Sequence, residues 1–319
     1  MEFDLIEILR ARAALARADV RVGIGDDAAV LAPPADRELV AATDTLVAGV
    51  HFPTSTRPED IGWKSLAVNL SDLAAMGATP AWALLALTLP SADRELVRRF
   101  ADGFAELAAQ HGIALIGGDT TQGPLAVTVC VLGFVPPGQA LLRSGARAGD
   151  LVCVTGTLGD AAAALRCLDA TATPTNESID ALRARLDRPT PRVAAGGVLR
   201  GVASACIDVS DGLLADLGHV AARSGVGMEI AAASLPASPA LLQAFDAPAR
   251  LALQASGGDD YELAFTLSAD AEAAVLRDLA RVGSGATRVG RVVEGAGVRL
   301  VDEKGSEIAL DRRGWDHFA

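Results

Sequence analysis

Aromatic residues, clustered basic residues and long unbroken apolar runs are all scarce in this chain of 319 residues. Aromatic side chains make up only 4% of it, and 28 Lys and Arg face 40 Asp and Glu, which gives a net charge of −12. That charge would repel the phosphate backbone of a nucleic acid unless a basic face were segregated, and no run of Lys and Arg could form one. The composition therefore predicts no nucleic-acid partner, and it predicts that a phosphate ligand would need cations to mediate its binding.

Signals for export and for membrane insertion are also lacking. The stretch most like a membrane span, residues 73–92, carries no charge but is broken by Gly77, Pro80 and Pro90, whereas a spanning helix needs about 20 predominantly apolar residues. Residues 1–7 are acidic where a secretory signal would be basic. The four cysteines show no metal-ligand or redox-motif spacing, which predicts free thiols. We expect a soluble, cytoplasmic protein without a membrane partner.

Half of the residues are hydrophobic, so the chain can bury substantial cores, and its length predicts two domains. Apolar segments of helical and strand periodicity alternate along both halves, which favours an α/β domain plus an α+β domain. The strongest punctuation is Pro136–Gly138. We therefore predict domains at residues 1–139 and 140–319.

Aspartates recur where predicted strands or turns end, next to Gly, Ser or Thr. The segments are Gly25–Asp27, Thr43–Thr45, Ser71–Asp72, Gly117–Thr121, Asp208–Gly212 and Gly257–Asp260. Any one of them is most simply a turn or a helix cap. Asp72 is more unusual, because it lies within an otherwise apolar predicted helix, Pro58–Met76, where an unpaired carboxylate would be costly.

If these carboxylates converge, they need counter-charge, and Mg²⁺ is suited to oxygen ligands and substrate phosphates. Phosphoryl transfer depends mainly on alignment and charge stabilisation, so such a site predicts Mg²⁺-dependent phosphoryl chemistry. The chain has no P-loop, no protein-kinase motif set and no zinc pattern, and Gly23–Ala28 lacks the third glycine of a dinucleotide fingerprint. The residues by themselves support this chemistry and do not specify the acceptor.

The chain carries an ordered set of eight motif segments: Gly23–Asp27, Thr43–Val47 with His51–Phe52, Lys64–Gly77, Gly117–Thr121, Arg143–Ala146, Asp208–Gly212, Ser256–Glu262 and Gly314–Phe318. This ordered set resembles that of thiamine-monophosphate kinases over essentially the whole chain. This resemblance implies the two-domain fold of the aminoimidazole-ribonucleotide-synthetase-like superfamily, with the active site in the cleft between the domains. It also implies an N-terminal α/β domain that binds metal and ATP and pairs through its sheet in a homodimer, and a C-terminal α+β domain that completes the ATP and substrate sites. The implied reaction is direct in-line transfer from ATP to thiamine monophosphate, which gives thiamine diphosphate.

The resemblance also implies roles for individual residues. The Mg²⁺ ligands would be Asp27, Thr43, Asp44, Asp72, Asp119, Asp208 and Asp211; the ATP contacts Gly118, Asp119, Arg143 and Ser210; and the thiamine monophosphate contacts His51, Asp259 and Trp315. An Arg is suited to clamp phosphate and a Trp to stack on a heterocycle. The chain departs from the family pattern at Asp259, where relatives carry Glu, and at Ala42, where they often carry a hydroxyl. No catalytic base emerges, and none is needed, because the acceptor phosphate oxygen is already an anion.

Two alternatives stay open from the sequence. Another ATP-using member of the superfamily would act on a purine-pathway amide or on selenide, although the selenide branch usually has an N-terminal reactive Cys and the first cysteine here is Cys130. A non-catalytic protein that binds Mg²⁺ and nucleotide would use the same acids. Nucleotide turnover distinguishes the second alternative from an enzyme.

Overall fold

The computed structural model describes residues 2–168 and 176–315, and contacts along the chain divide it into two compact units. The N-terminal unit consists of Met1–Leu73 and Ala78–Gly138, and the C-terminal unit of Ala74–Gly77 and Gln139–Ala319. In the described ranges, no helix has the length and apolar character needed to cross a membrane. The functions expected of the two predicted domains stay predictions.

The N-terminal unit is built on a four-stranded sheet with the strand order β3-β6-β4-β5. Its elements are α1 (Glu2–Ala13), β1 (Val20–Val22), β2 (Val30–Leu31), β3 (Glu38–Val47), α2 (Pro58–Ala75, whose last two residues belong to the C-terminal unit), β4 (Thr79–Leu89), α3 (Arg94–His111), β5 (Ala114–Gln122) and β6 (Ala126–Val135). β4 and β5 pair in parallel, and the other neighbours pair antiparallel. β3 and β5 are therefore the two edges of the sheet.

Two glycines allow α2 and α3 to pack closely. A Cβ on Gly62 would overlap the Phe100 carbonyl, and a Cβ on Gly103 would overlap that of Glu59. α3 begins after Asp93, whose carboxylate accepts from two backbone N–H groups, and it ends at Gly112. These signals are visible in the sequence, and they place the helix as its amphipathic pattern predicts.

One face of the sheet is largely covered, and the other face is partly open. Alternate residues of β4 and β6 are buried, and the β1–β2 hairpin covers Trp82 and its neighbour Leu132 on the opposite face. Beyond the hairpin that face stays open, since Leu84 is 37% exposed and Leu39 is 54% exposed. An open apolar sheet face of this kind is typical of an interaction surface.

The C-terminal unit is built on a six-stranded sheet with the order β12-β9-β11-β7-β10-β8. Its elements are β7 (Leu151–Thr155), α4 (Asp160–Leu168), α5 (Asn176–Asp187), α6 (Val193–Leu199), β8 (Ala205–Asp208), α7 (Leu213–Ser224), β9 (Gly227–Ala231), α8 (Pro239–Ala244), α9 (Ala247–Ser256), β10 (Leu263–Leu267), α10 (Glu272–Arg281), β11 (Ala286–Val293) and β12 (Gly297–Val301), with 3₁₀ turns at Ala232–Ser234 and Ala269–Ala271. At the central strand β7 both faces of the sheet are buried: Val154 packs in a core with α7, and Cys153 packs with α6 and α10. Covered faces explain why β7 and β10 are continuous apolar runs.

Two strands are longer than the sequence predicts. The pattern indicates strands at residues 39–42 and 113–116, each ending just before a polar Asp motif, but β3 continues to Val47 and β5 to Gln122. β3 pairs with β6 over its whole length, and β5 pairs with β4 through Gln122. Pairing with a neighbouring strand overrides the polar composition, so Asp44 and Asp119 lie within edge strands and not beyond strand ends.

Candidate active site

In the C-terminal unit, the loop Asp208–Gly212 is the centre of the candidate site. Asp208 ends β8 and is only 5% exposed, and α7 begins directly after Gly212. The carboxylate oxygen Oδ2 of Asp216, in the first turn of α7, accepts the backbone N–H groups of Ser210, Asp211 and Gly212 at 3.0, 3.1 and 3.1 Å. The loop is therefore wrapped around a carboxylate of its own chain.

Asp216 is a residue that the sequence reasoning missed. It is 3% exposed, and burial raises the pKa of its carboxyl to about 7, with further contributions from the negative charges of Asp208 and Asp211. An acid in the first turn of a helix, directly after Asp211–Gly212, is the signal that could have identified it.

A second segment, residues 257–262, is joined to this loop by backbone hydrogen bonds. The N–H of Asp259 donates to Ser210 O at 2.8 Å, and the N–H of Tyr261 donates to Val209 O at 2.8 Å. Asp259 and Tyr261 have φ angles of 68° and 50°, which is strained for residues with a side chain, and the Tyr261 hydroxyl donates to Asp259 Oδ1 at 2.9 Å. The predicted substrate residue Asp259 is thus held beside the predicted nucleotide residue Ser210.

Trp315 reaches the same region, whereas Arg143 is attached to the opposite end of α7. The backbone N–H of Trp315 donates to Asp211 O at 2.9 Å, and the Trp315 side chain is 53% exposed. The following residues of that motif, 316–318, lie outside the described residues. The segment that carries the exposed Arg143 lies beside β8, where Cys206 N–H donates to Leu142 O at 2.8 Å, but the Arg143 carbonyl accepts from the Ser224 hydroxyl at the C-terminal end of α7. Five of the six predicted site residues of this unit therefore lie on or beside one loop, and the backbone of Arg143 lies near the other end of α7.

In the N-terminal unit, Asp44 and Asp72 are brought together by a buried asparagine. The backbone N–H of Asp44 donates to Asn69 Oδ1 at 3.0 Å, and Asn69 lies three residues before the half-buried Asp72 on α2, hence on the same face of that helix. Thr43 precedes Asp44 on β3, so its side chain points to the other face of the sheet, and its hydroxyl donates to Val129 O at 3.0 Å. The sequence reasoning did not include Asn69, although an amide within an apolar helix was a visible signal.

His51 is fixed by the turn that follows β3. Its Nδ1 accepts the Val47 N–H at 3.0 Å, which in a neutral ring places the proton on Nε2. Its carbonyl accepts from Nζ of Lys64 at 3.1 Å, and this lysine is only 1% exposed on α2. The turn is therefore anchored to the same helix that carries Asp72.

Asp119 lies at the other edge of this sheet, and the loop that carries Asp27 starts near that edge. Gly118 has φ 153°, and a Cβ there would overlap the Leu85 carbonyl, so only glycine fits next to the exposed Asp119 on β5. The loop that carries Asp27 starts beside β5, since a Cβ on Gly23 would lie 4.0 Å from the Ile116 carbonyl oxygen. Asp26 accepts the Asp27 N–H and stabilises the turn.

The two groups of acids are well separated within the sheet. Three strand spacings of about 4.8 Å place the β3 and β5 edges about 14 Å apart, so Asp44 and Asp119 of a single chain cannot share one ion. Among the residues that the structure describes, no three His, Cys, Asp or Glu side chains are close enough to hold a metal ion by themselves. The donor set of carboxylates and a hydroxyl still fits Mg²⁺, which typically takes one or two carboxylates and completes its shell with water and substrate phosphates.

A buried ionic network lies next to the candidate site. Glu262, 0% exposed, accepts from Arg192 Nε at 2.6 Å and Nη2 at 2.5 Å, from Arg185 Nη2 at 2.7 Å and from the Thr155 hydroxyl at 2.6 Å. Its neighbour Asp260 is also buried, and burial raises the pKa of its carboxyl well above the usual value. This network anchors the segment that carries Asp259, and the sequence reasoning did not predict it.

Each of the two units contains a match to a known family domain. The AIR synthase related protein N-terminal domain matches residues 25–135, and the AIR synthase related protein C-terminal domain matches residues 147–303. These matches define a two-domain AIR synthase-related protein and confirm the expected fold class.

Individual relatives show to which family within this class the chain belongs. The thiamine-monophosphate kinase of Salmonella typhimurium is 45% identical over 100% of this chain and 98% of its own length. The crystal structure of thiamine-monophosphate kinase from Stenotrophomonas maltophilia is 52% identical, covers 96% of this chain and 98% of that one, and has a TM-score of 0.89. A structure of AaThiL complexed with AMPPCP and TMP is 34% identical, with coverages of 99% and 97% and a TM-score of 0.77. The chain belongs to the thiamine-monophosphate kinase family.

Proposed function

We propose that this chain transfers the terminal phosphoryl group of ATP to thiamine monophosphate and releases ADP and thiamine diphosphate. The observation that carries the proposal is the full-length match to AaThiL, whose structure contains AMPPCP and TMP together. The structure of this chain supports it, because one loop, Asp208–Gly212, gathers the residues expected to contact metal, nucleotide and substrate.

Mg²⁺ is part of the proposal. In the C-terminal unit Asp208 and Asp211 would bind ions that neutralise the polyphosphate. In the N-terminal unit Asp44 and Asp72 would form one site, Thr43 would bind Mg²⁺ next to it on β3, and Asp27 and Asp119 would lie near a separate site. The chain has an excess of 12 negative charges, so a triphosphate is repelled unless cations compensate. Bound Mg²⁺ supplies this charge compensation during transfer.

The remaining roles follow from chemistry. Arg143 would clamp a phosphate, and Gly118 and Ser210 would contact the nucleotide. On the acceptor side His51 and Asp259 would bind thiamine monophosphate, and Trp315 would stack on its heterocycle. The acceptor oxygen is already anionic, so positioning and charge stabilisation are sufficient for in-line transfer without a phosphoenzyme.

The reaction is tested by incubating the purified chain with ATP, Mg²⁺ and thiamine monophosphate. Thiamine diphosphate and ADP should form in equal amounts, and neither should form when EDTA is present. Inversion of configuration at a chiral terminal phosphate would indicate a single in-line step. Binding of AMPPCP without any turnover would refute the proposal and favour a non-catalytic binding protein, and ADP formation only with a different acceptor would favour another superfamily reaction.

The Trp315→Ala variant tests the substrate side. The KM for thiamine monophosphate should rise about tenfold or more through loss of stacking, since one aromatic contact contributes about 1–3 kcal/mol. The KM for ATP should change little. Trp63→Phe, a change at a buried indole on α2, is the matched control and should leave both constants near the wild-type values. An unchanged KM for thiamine monophosphate in Trp315→Ala would remove Trp315 from the site.

Pairing of two copies through the N-terminal sheet is also part of the proposal. The open face presents Leu39 and Leu84 on strands β3 and β4, and exposed apolar area of this kind is stabilised by burial. Light scattering should give twice the mass of the chain, and Leu84→Asp should halve it. Val30→Asp, a change at an exposed apolar residue on the hairpin of the same unit, is the control and should stay dimeric. A wild-type monomer at micromolar concentration would refute this part.

A further inference from the structure

The three peptide groups between Val209 and Gly212 are each fixed at both ends. Their N–H groups, which belong to Ser210, Asp211 and Gly212, donate to Oδ2 of Asp216 at 3.0–3.1 Å. Their carbonyl groups, which belong to Val209, Ser210 and Asp211, accept the N–H groups of Tyr261, Asp259 and Trp315 at 2.8, 2.8 and 2.9 Å. Since each peptide group is planar, turning one of them would break a hydrogen bond on both sides.

This arrangement is a nest, a concavity of successive backbone N–H groups that binds an anion. Gly212, with φ 126°, provides the turn, and a Cβ there would overlap the backbone of Ser256. In other proteins such a concavity is typically filled by a phosphate, whereas here Asp216 fills it. The loop can therefore keep its conformation before any ligand arrives.

Holding a carboxylate at this place is unfavourable in itself. Asp216 is 3% exposed and has Asp208 and Asp211 as negatively charged neighbours, so burial and repulsion both oppose it. Three charge-assisted hydrogen bonds to one oxygen offset this penalty, and they polarise the carbonyl groups at the other end of each peptide. An apolar residue would avoid the repulsion but would leave the three N–H donors without this acceptor.

We infer that Asp216 is a positioning residue that locks the Asp208–Gly212 loop and, through the same peptide groups, sets Asp259 and Trp315 relative to Ser210 and Asp211. Asp216 would touch neither ATP nor thiamine monophosphate. The inference rests on the proposed function only for the identity of the ligands, because the locking itself is a property of the backbone.

Two substitutions at this position test the inference. Asp216→Asn keeps the shape and one carbonyl acceptor but loses the charge, and Asp216→Ala removes the acceptor entirely. The kcat should fall in that order, by at least about tenfold in Asp216→Ala, because alignment of the reacting groups is lost. A side chain that only filled space would keep the wild-type kcat in Asp216→Asn, which has the same shape, so an intermediate kcat in that variant indicates the role of the charged acceptor.

Hydrogen–deuterium exchange gives a readout that is independent of activity. Peptides covering residues 208–214 and 258–261 should lose protection in both variants, while peptides covering β7 and β11 should keep theirs. Asp150→Asn is the matched control, since Asp150 is 8% exposed and its Oδ2 also accepts a backbone N–H, that of Arg147, and the Ser204 hydroxyl. It should keep kcat within about twofold and leave exchange of the 208–214 segment unchanged.

The outcomes separate this inference from the proposed reaction. Wild-type kcat and wild-type exchange in Asp216→Ala would overturn the positioning role. Loss of protection throughout the C-terminal unit in Asp216→Asn would also overturn it, since the residue would then be needed for folding as a whole. If the wild-type chain made no thiamine diphosphate, the proposed function would fail, but the exchange comparison would still decide whether Asp216 locks the loop.

Discussion

Replacing Glu262 by Gln removes the charge of a carboxylate that is 0% exposed and leaves two arginines without their partner. The side chains of Arg185 and Arg192 are only 23% and 15% exposed, so water replaces the lost interaction poorly. Breaking a buried ion pair by removing one partner costs about 3–5 kcal/mol, because the remaining charge stays buried. For a unit of this size each kcal/mol lowers Tm by about 2–4 °C, so we expect Glu262→Gln to melt about 6–20 °C below the wild type.

The control is Glu229→Gln, because Glu229 also pairs with two arginines. Its partners Arg291 and Arg299 are 68% and 50% exposed, and pairs on the surface contribute less than about 1 kcal/mol. Differential scanning calorimetry of the three proteins at one pH and salt concentration measures the difference directly. Equal melting temperatures for the two variants would refute the reasoning, since burial alone distinguishes the two networks.

A double-mutant cycle adds a second check. Arg192→Met alone leaves Glu262 with one guanidinium and one hydroxyl, and the combined variant no longer holds an unpaired Arg192 next to a neutral residue. The loss of stability in the double variant should therefore be smaller than the sum of the two single losses. Strict additivity would show that the two side chains do not act as a pair.

Three further predictions concern single residues. Asp72→Asn should lower kcat at least about tenfold and leave the melting temperature unchanged. The control Asp102→Asn, on the exposed side of α3, should leave kcat unchanged. Retained activity in Asp72→Asn would make Asp72 a structural residue. Gly118→Ala should lower the free energy of unfolding, measured in urea, several times more than Gly112→Ala, for which about 1 kcal/mol is expected. Both glycines have a positive φ, but only at Gly118 would a Cβ overlap backbone atoms. Equal losses in the two variants would contradict this overlap. Burial raises the pKa of the Cys153 thiol to about 12, so the reactive thiolate is the minor form below that pH. Iodoacetamide at pH 8 should therefore label Cys153 only after unfolding in urea. Rapid labelling of the folded chain would show that strand β7 is accessible.

Much of the helical structure could be predicted from local signals. The boundaries of α3 follow from its amphipathic pattern, the Asp93 cap and the terminal Gly112. The lengths of β3 and β5 could not be predicted, because Thr43–Thr45 and Gly117–Thr121 are polar and become strands only through pairing with β6 and β4. Helix α10 and strands β11 and β12 were not predicted at all, although they complete the C-terminal sheet.

The candidate site shows the same division. The sequence alone indicates the chemistry of the acids and their resemblance to a family. All thirteen predicted site residues belong to the described part of the chain. The supporting residues Asn69, Asp216 and Glu262 were missed, since each acts through hydrogen bonds whose partners the motifs do not reveal. An isolated polar residue next to an apolar run has the same appearance in sequence whether it is solvated or buried.

The amino-acid sequence by itself determined the class of chemistry and the family, because oxygen-rich acidic motifs in a fixed order are a property of residue type and spacing. The tertiary structure alone decided how the acids are distributed: Asn69, on the same face of α2 as Asp72, accepts the Asp44 N–H, while Asp119 lies on the opposite edge of the sheet. It also decided that Asp216 fills a nest and that Glu262 is buried with two arginines. The physical reason is that strand order and burial depend on pairing between segments that are distant in the chain, and no local pattern encodes the distance between them.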